Sequence, residues 1–183
     1  MTRNTVSRSL HDLGLAAWFG GTLANAVALN PAAAEAGSPA DRGAVTNAGW
    51  HRWTPVNAAA IGLHVLGSLG QLGGNSGRIH AQKGVPTMVM GKTALTAAAL
   101  GVTAYSRALG RTVDAHGEVP VAAGTEPSAA TPPDVAAAQK KLAALQWVVP
   151  ALTGAIVIVS SFAGEQERPS EVRSGVLGRV LPS

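Results

Sequence analysis

The chain contains no cysteine and little charge. Without cysteine, disulfide bonds and thiolate metal sites are excluded. Charged residues make up 13% of the 183 positions, about half of the ~25% that is typical of soluble proteins. This deficit favours a chain whose apolar segments are buried in lipid, with polar segments between them.

Motifs for nucleic-acid binding and for catalysis are also missing from the sequence. The net charge is +4, and no run of Lys and Arg indicates a nucleic-acid partner. No P-loop, HExxH or GxSxG pattern occurs, and the Ser, His and Asp residues have no spacing typical of a catalytic triad. We therefore predict no catalytic residue, no metal ligand set and no cofactor, and a non-enzyme is favoured.

What the sequence does contain is a set of long apolar segments, at about residues 10–30, 56–76, 87–109 and 140–164. Their lengths are close to the ~20 residues that a helix needs to cross a hydrocarbon core of ~30 Å. In the third, Lys92 and Arg107 lie near the ends, where long side chains reach the lipid headgroups. The sequence predicts an all-α, polytopic membrane protein with four transmembrane helices in an up-down bundle, in a single domain spanning 1–183.

The segments between the spans are polar. Residues 31–55 are predicted to be a loop, and residues 110–138, rich in Pro, Ala and Thr without apolar periodicity, a flexible loop with no fixed fold. Residues 165–183 are predicted to be a polar tail of mixed charge.

Small residues recur at helical spacing in two of the spans. Such rows let helices approach closely in lipid, where dispersion contacts replace the exclusion of water. We predict that helix packing, within the bundle or against a membrane-protein partner or second copy, uses the small residues Ala16, Gly20, Gly21, Ala24, Gly67 and Gly70.

Two features indicate how the helices lie in the bilayer. Trp50 and Trp53 precede the second span, and tryptophan favours the membrane-water interface, so both are predicted interface anchors. Lys and Arg are more numerous in the N-terminal arm, the second loop and the tail than in the other two loops. By the positive-inside rule, both termini are predicted to be cytoplasmic.

The first span has an alternative interpretation as a secretory signal peptide. A basic arm, an apolar run and A-x-A-like sites around 32–36 are typical of such signals. Cleavage would leave three spans with the N-terminus outside. The charge-free run exceeds the usual apolar core of about 7 to 15 residues, which favours an uncleaved helix.

Asp12, Lys92 and His64 form the candidate intramembrane polar site. Asp12 and Lys92 are both predicted about one turn inside the cytoplasmic edge, where they either pair or extend separately to the headgroups. His11 and His64 raise the alternative of a haem between two imidazoles. The predicted helix limits place these histidines roughly two turns apart in depth, which disfavours one shared iron.

Two other polar features have less specific interpretations. Asn25 and Asn57 are both predicted near the outer edge, where they can share an interhelical hydrogen bond. Gln71 and Gln146 have no partner that the sequence assigns.

The opening HDLGLAAWFGG, the later WHRWTPVNAAAIG and the four-span layout resemble small, uncharacterised integral membrane proteins common in actinobacteria. This resemblance implies a mycobacterial or related envelope and brings no activity and no functional residues. Over one helix, Trp18, Gly20 and Gly21 also resemble copper-resistance D-like membrane proteins.

We expect an integral inner-membrane protein in contact with the lipid bilayer, acting as a structural or accessory subunit that packs against partner membrane proteins. The first alternative is a small-solute transporter or ligand-binding membrane protein with Asp12, Lys92 and His64 near a cavity. The second is a haem- or metal-binding redox protein.

Overall fold

The computed structural model describes residues 4–117, 119–166 and 168–180, and these are mostly α-helical. The helices are α1 (Thr5–Ala24), α2 (Pro39–Gly74), α3 (Ser76–Ala81), α4 (Val85–Asp114), α5 (Pro133–Glu165) and α6 (Pro169–Val180). Two short strands, β1 (Val121–Ala123) and β2 (Glu126–Pro127), form an antiparallel pair. The prediction of an all-α class is confirmed for the long elements, which are all helices.

The four long helices α1, α2, α4 and α5 contain most of the predicted apolar segments. Among them, the contact between α1 and α2 is the most extensive. The contact between α4 and α5 comes next, followed by the contact between α1 and α5. The start of α1 meets the end of α2, where Gly74 lies against Asn4. At the same end, Arg78 Nη2 donates to the Gln166 carbonyl oxygen at 3.0 Å. The helices therefore alternate in direction, and the first and last described residues lie at one end of the bundle.

The end of α1 departs from regular α-helix. The chain continues through a π-helical turn at Asn25–Leu29 and a short helical turn at Asn30–Ala32. Pro31 has no N–H and cannot donate to the carbonyl oxygen four residues before it, which interrupts the α-helical ladder here. The side chain that follows the π turn, Asn30, is buried.

Helix α2 begins 17 residues before the predicted span, within the segment predicted to be a loop. Ser38 caps it: its Oγ accepts from the Asp41 N–H at 3.2 Å, and Asp41 Oδ2 accepts from the Ser38 N–H at 3.2 Å. Pro39 occupies the first helical position, where no N–H is needed. This capping box starts the helix at Pro39. The prediction of a loop is therefore wrong for residues 39–55, which are helical.

The larger of two buried apolar clusters is built from side chains of all four long helices. Its members are Leu15, Trp18, Ala60, Ala99, Val149 and Ile156. Large apolar side chains such as Leu13, Met90 and Ile158 are instead more than half exposed. Exposed apolar side chains of this size are typical of surfaces that contact another protein or a membrane.

Two of the described helices, α4 and α5, are long and apolar enough to cross a membrane. For α1 and α2 the structure gives long helices in which the apolar stretch covers only part of the length. The polar start of α2 carries Asp41, Arg42 and Arg52, and the apolar run of the first span extends past the end of α1 into the π turn.

Residues 110–138 differ from the predicted flexible loop. Helix α4 continues to Asp114, and the β1–β2 pair follows. Val119 and Val121 are buried against Val135, and Gly43 of α2 lies against the Val119 carbonyl. These valines bury apolar surface against a distant helix, a tertiary contact that local composition does not reveal, and this corrects the prediction. The predicted tail contains helix α6.

Candidate functional site

A cavity of about 580 Å³ lies at the end of the bundle where the first and last described residues meet. We call it the charged cavity, because the described side chains that line it include Arg8, Asp12, Arg78 and Lys92. These groups come from α1, α3 and α4. The structure thus brings the sequence-predicted Asp12 and Lys92 to the wall of one cavity.

His64, the third predicted site residue, lies behind this wall. It is fully buried in α2, and the neighbouring ring that lines the cavity is His11. The two imidazole centroids are 4.5 Å apart with the rings tilted by 45°. His11 Nδ1 lies 2.7 Å from Asp12 Oδ1, so the ring N–H donates to the carboxylate and links the buried pair to the cavity.

This contact corrects the predicted separation of two turns between His11 and His64. Helix α1 begins at Thr5 rather than near residue 10, so His11 lies deeper in the bundle than predicted. Rings in direct contact leave no space for a porphyrin between them, so the haem arrangement weighed from the sequence does not fit these positions. Among the described residues, no group of three or more His, Asp or Glu side chains has the spacing of a metal site.

Two glycines let the histidine rings meet. A Cβ at Gly14 would overlap the His64 backbone nitrogen and the Ala60 carbonyl, and one at Gly67 would overlap the His11 backbone nitrogen. The backbones of α1 and α2 therefore touch at both positions, as small residues allow. Gly67 was predicted to pack, whereas Gly14 was missed because it lies outside the row that begins at Ala16.

Three residues that line the charged cavity also carry a buried side-chain atom without a hydrogen-bond partner. Within the described part of the chain, three of its buried wall atoms have no hydrogen-bond partner: His11 Nε2, Gln71 Nε2 and Ser160 Oγ. Buried polar atoms are satisfied by protein, water or ligand in nearly all native structures. The charged side chains that line the cavity, and not these buried atoms, suit it to a polar occupant.

A second cavity of about 370 Å³ lies toward the opposite end of the bundle. We call it the tryptophan cavity, since Trp50 and Trp53 line it together with Asn57, Thr103 and Gln146. The six-membered ring of Trp53 lies against Gly21 of α1. The predicted interface anchors are thus half-buried and have neighbours inside the helical assembly.

A hydrogen-bond network centred on Asn30 lies in the wall of the tryptophan cavity. Asn30 Nδ2 donates to Gln146 Oε1 at 2.8 Å, and Trp50 Nε1 donates to Asn30 Oδ1 at 3.1 Å. The Gly124 N–H donates to the Asn30 carbonyl at 3.1 Å. The network joins the end of α1 to α2, to the strand connection and to α5. Sequence reasoning missed Asn30, although its position before Pro31 marks a break in the helix.

The predicted hydrogen bond between Asn25 and Asn57 is not formed. Asn25 Nδ2 and Asn57 Oδ1 are both buried without a partner among the described residues. Asn57 instead lines the tryptophan cavity, where Trp53 Nε1, Thr103 Oγ1 and Ser106 Oγ are also buried and unpartnered.

The predicted packing residues divide into two groups. Gly21, Gly67 and Gly70 lie against other helical segments, with Ser7 next to Gly70. Gly20 and Ala24 are exposed and form an outward row on α1, and Ala16, which is also exposed, lines the charged cavity. Within this chain, the row leaves a smooth external face.

Compared with known proteins, the chain matches no family model, no curated protein sequence and no solved structure. The geometry described above therefore carries the functional argument.

Proposed function

We propose that the chain is a multi-pass inner-membrane protein, with both termini cytoplasmic, that binds a small anionic solute in the charged cavity. The observation that carries the proposal is the convergence of Arg8, Asp12, Arg78 and Lys92 from separate helices on one cavity of about 580 Å³. That volume lies within the range of about 300–1,000 Å³ that is common for small-molecule sites.

The membrane assignment is supported by the surface of the bundle. Helices α4 and α5 have the length and hydropathy of spans, and their exposed side chains include Met90, Ile158 and Phe162. The alternating directions of the four long helices bring the first and last described residues to one end of the bundle, which supports termini on one side, as expected from the distribution of Lys and Arg.

The choice of an anion follows from the charges that face the cavity. Three cationic side chains and one carboxylate line it among the described residues. Asp12 is engaged by His11 Nδ1 at 2.7 Å, which directs the carboxylate toward the buried pair. Arginine and lysine are the side chains that bind carboxylates and phosphates most strongly in proteins.

Thermal unfolding of the purified protein in mild detergent tests this proposal. The probes are phosphate and succinate as anions, choline as a cation and glucose as a neutral solute. At about one hundred times its dissociation constant, a ligand stabilises by about 2.7 kcal/mol, which corresponds to about 5–10 °C for a chain of this size. We expect an anion to give such a shift, and Lys92→Gln to abolish it.

The matched control is Lys83→Gln, which removes an exposed cation outside the cavity and is expected to retain the full shift. Asp12→Asn should retain or strengthen it, because the variant removes negative charge from the wall. Stabilisation by choline that is lost in Asp12→Asn would contradict the anion assignment. The absence of any anion shift in the unmodified chain would contradict the binding function.

The outward row on α1 favours a second candidate function, a structural or accessory role in contact with a partner membrane protein or a second copy. Gly20 and Ala24 are exposed beside the exposed apolar side chains Leu13 and Val27. Under this hypothesis Gly20→Leu, which has open space around it in this chain, reduces the size of the complex extracted from native membranes.

The control for this second candidate is Ala98→Leu, an exposed small residue on α4, which should leave the complex unchanged. Equal effects of the two variants, or no effect of either, would remove the accessory role.

A further inference from the structure

The charged cavity and the tryptophan cavity occupy successive lengths of the same four helices. On α4, the charged cavity is lined between Val85 and Leu100, and the tryptophan cavity between Leu100 and Asp114. On α1 the order is the same, with Ala16 in the first lining and Thr22 in the second. The two cavities are therefore stacked along the bundle axis.

The remaining two helices repeat this arrangement. On α2, the tryptophan cavity ends at Ile61 and the charged cavity begins at Val65. On α5, the corresponding limits are Val149 and Val157. All four helices thus change from one cavity to the other at a similar depth, which makes the boundary a single layer.

On α4 the two linings meet. Of the residues that the structure describes, Leu100 alone lines both cavities. Leu100 packs against the buried core that contains Trp18, Ala99 and Ile156. Beside it, His64 lies 5.9 Å from Trp18 between ring centroids, and His64 Nε2 is 3.4 Å from Thr96 Oγ1.

The seam between α2 and α4 is bridged at this layer by His64 and Thr96. These two helices pack less closely than the other neighbouring pairs of the bundle. Above and below that bridge, the two cavity linings include polar residues, among them Ser160 and Lys92 on one side and Thr103 and Gln146 on the other. Polar occupants are therefore expected on both sides of a short apolar closure.

We propose that the two cavities are the two halves of one path by which small polar solutes cross the bundle, closed in this structure at Leu100. The identity of the solute as an anion rests on the proposed function, whereas the existence of the path does not. The protein then acts as a transporter or channel, and the tryptophan cavity is its vestibule on the side opposite the termini.

The absence of cysteine makes the path directly measurable, because any introduced cysteine is the sole thiol of the chain. Ser160→Cys replaces a residue of the charged-cavity lining, and Thr103→Cys replaces one of the tryptophan-cavity lining. Sealed membrane vesicles of known orientation are treated with the membrane-impermeant reagent methanethiosulfonate ethylsulfonate. We expect Ser160→Cys to be labelled from the face that carries the termini and Thr103→Cys from the opposite face.

Matched controls lie at similar depth on the outside of the bundle. Ile158→Cys and Gly101→Cys replace exposed residues outside both linings and should resist the reagent from either face, because lipid covers them. Labelling of both cavity thiols from one face, or of neither, overturns the proposal.

The closure itself is tested by shortening Leu100. In a Leu100→Ala background, Thr103→Cys should become reactive from the face that carries the termini, with a rate at least tenfold above that in the unmodified background. Leu100→Val should give an intermediate rate, and it provides a second variant if the alanine protein is not monodisperse. A Thr103→Cys thiol that stays unreactive from that face in both backgrounds overturns the path.

These outcomes separate the path from the anion site. If the labelling pattern is observed while no anion shifts thermal unfolding, the path stands and the proposed ligand class fails. If anions stabilise the chain while Thr103→Cys never becomes reactive across the closure, the charged cavity is a binding site without a path.

Discussion

The seam between α1 and α2 and the seam between α2 and α4 are built in opposite ways. At the first, Gly14 and Gly67 bring two backbones into contact and bury both histidine rings. At the second, the helices are held apart, and they are bridged by His64 with Thr96 and by His51 with Asp114. The comparison suggests a rigid side of the bundle and a side where solute has room.

The largest expected effect comes from disrupting the backbone contact between α1 and α2. Gly14→Leu forces a side chain into the backbone of α2, and we expect a loss of unfolding free energy of about 3 kcal/mol or more, because overpacking of this kind cannot be relieved by side-chain motion. Gly62→Leu, on α2 with open space around it, is the control. Thermal unfolding in detergent measures both, and equal stability of the two variants would contradict the close contact.

A smaller effect is expected at the hydrogen-bond network around Asn30, in the wall of the tryptophan cavity. Asn30→Ala removes the acceptor of Trp50 Nε1 and the donor to Gln146 Oε1. Leaving buried polar groups without partners costs about 1–3 kcal/mol, and we expect a loss in that range. Asn47→Ala, at a half-buried residue of the same cavity wall, should cost less. If Asn47→Ala proves as costly as Asn30→Ala, the network does not hold this end together.

The seam between α2 and α4 should tolerate a substitution near its middle, where His64 and Thr96 bridge the two helices. Thr96→Val keeps the shape of the side chain and removes the hydroxyl that lies 3.4 Å from His64 Nε2. Because this hydrogen bond is long, we expect a change in unfolding free energy below about 1 kcal/mol. A loss as large as that of Gly14→Leu would mean that both seams are equally rigid.

The smallest effect is expected at the exposed pair of His51 and Asp114, which also joins α2 to α4. His51 Nε2 and Asp114 Oδ1 are 2.8 Å apart, and both side chains are at least one-third exposed. Exposed pairs of this kind contribute about 0–1 kcal/mol, so Asp114→Asn should change the unfolding midpoint by no more than a few degrees. A marked loss of stability would show that this pair, rather than the core layer, holds α2 to α4.

The positions of the long helices could be predicted from the sequence better than the residues at which they begin. Composition and segment length locate the four long helices, because charge is excluded from apolar stretches wherever they pack. Helix starts were less predictable: the Ser38 and Asp41 capping box lies well before the apolar part of α2. That shift, and the early start of α1, explain why His11 and His64 were predicted at different depths.

Tertiary partners were the other source of error. Asn30 and Gln146 are 116 positions apart in the chain, and the contact of Val119 with Gly43 joins a strand connection to a distant helix. Neither contact has a local signature in composition or periodicity. Asp12 and Lys92 were predicted as one site since their charges are unusual within apolar segments, and the structure places both on the same cavity.

The central claim is that lipid surrounds the four-helix bundle and that the N-terminus and the C-terminus of the chain both lie on the cytoplasmic side. Reporter fusions at the N-terminus and at the C-terminus, expressed separately in the same cells, test it most directly. The account predicts that both fusions behave as cytoplasmic and that both fractionate with the membrane. Reporters on opposite faces, or a fusion protein that is freely soluble in aqueous buffer, would contradict it.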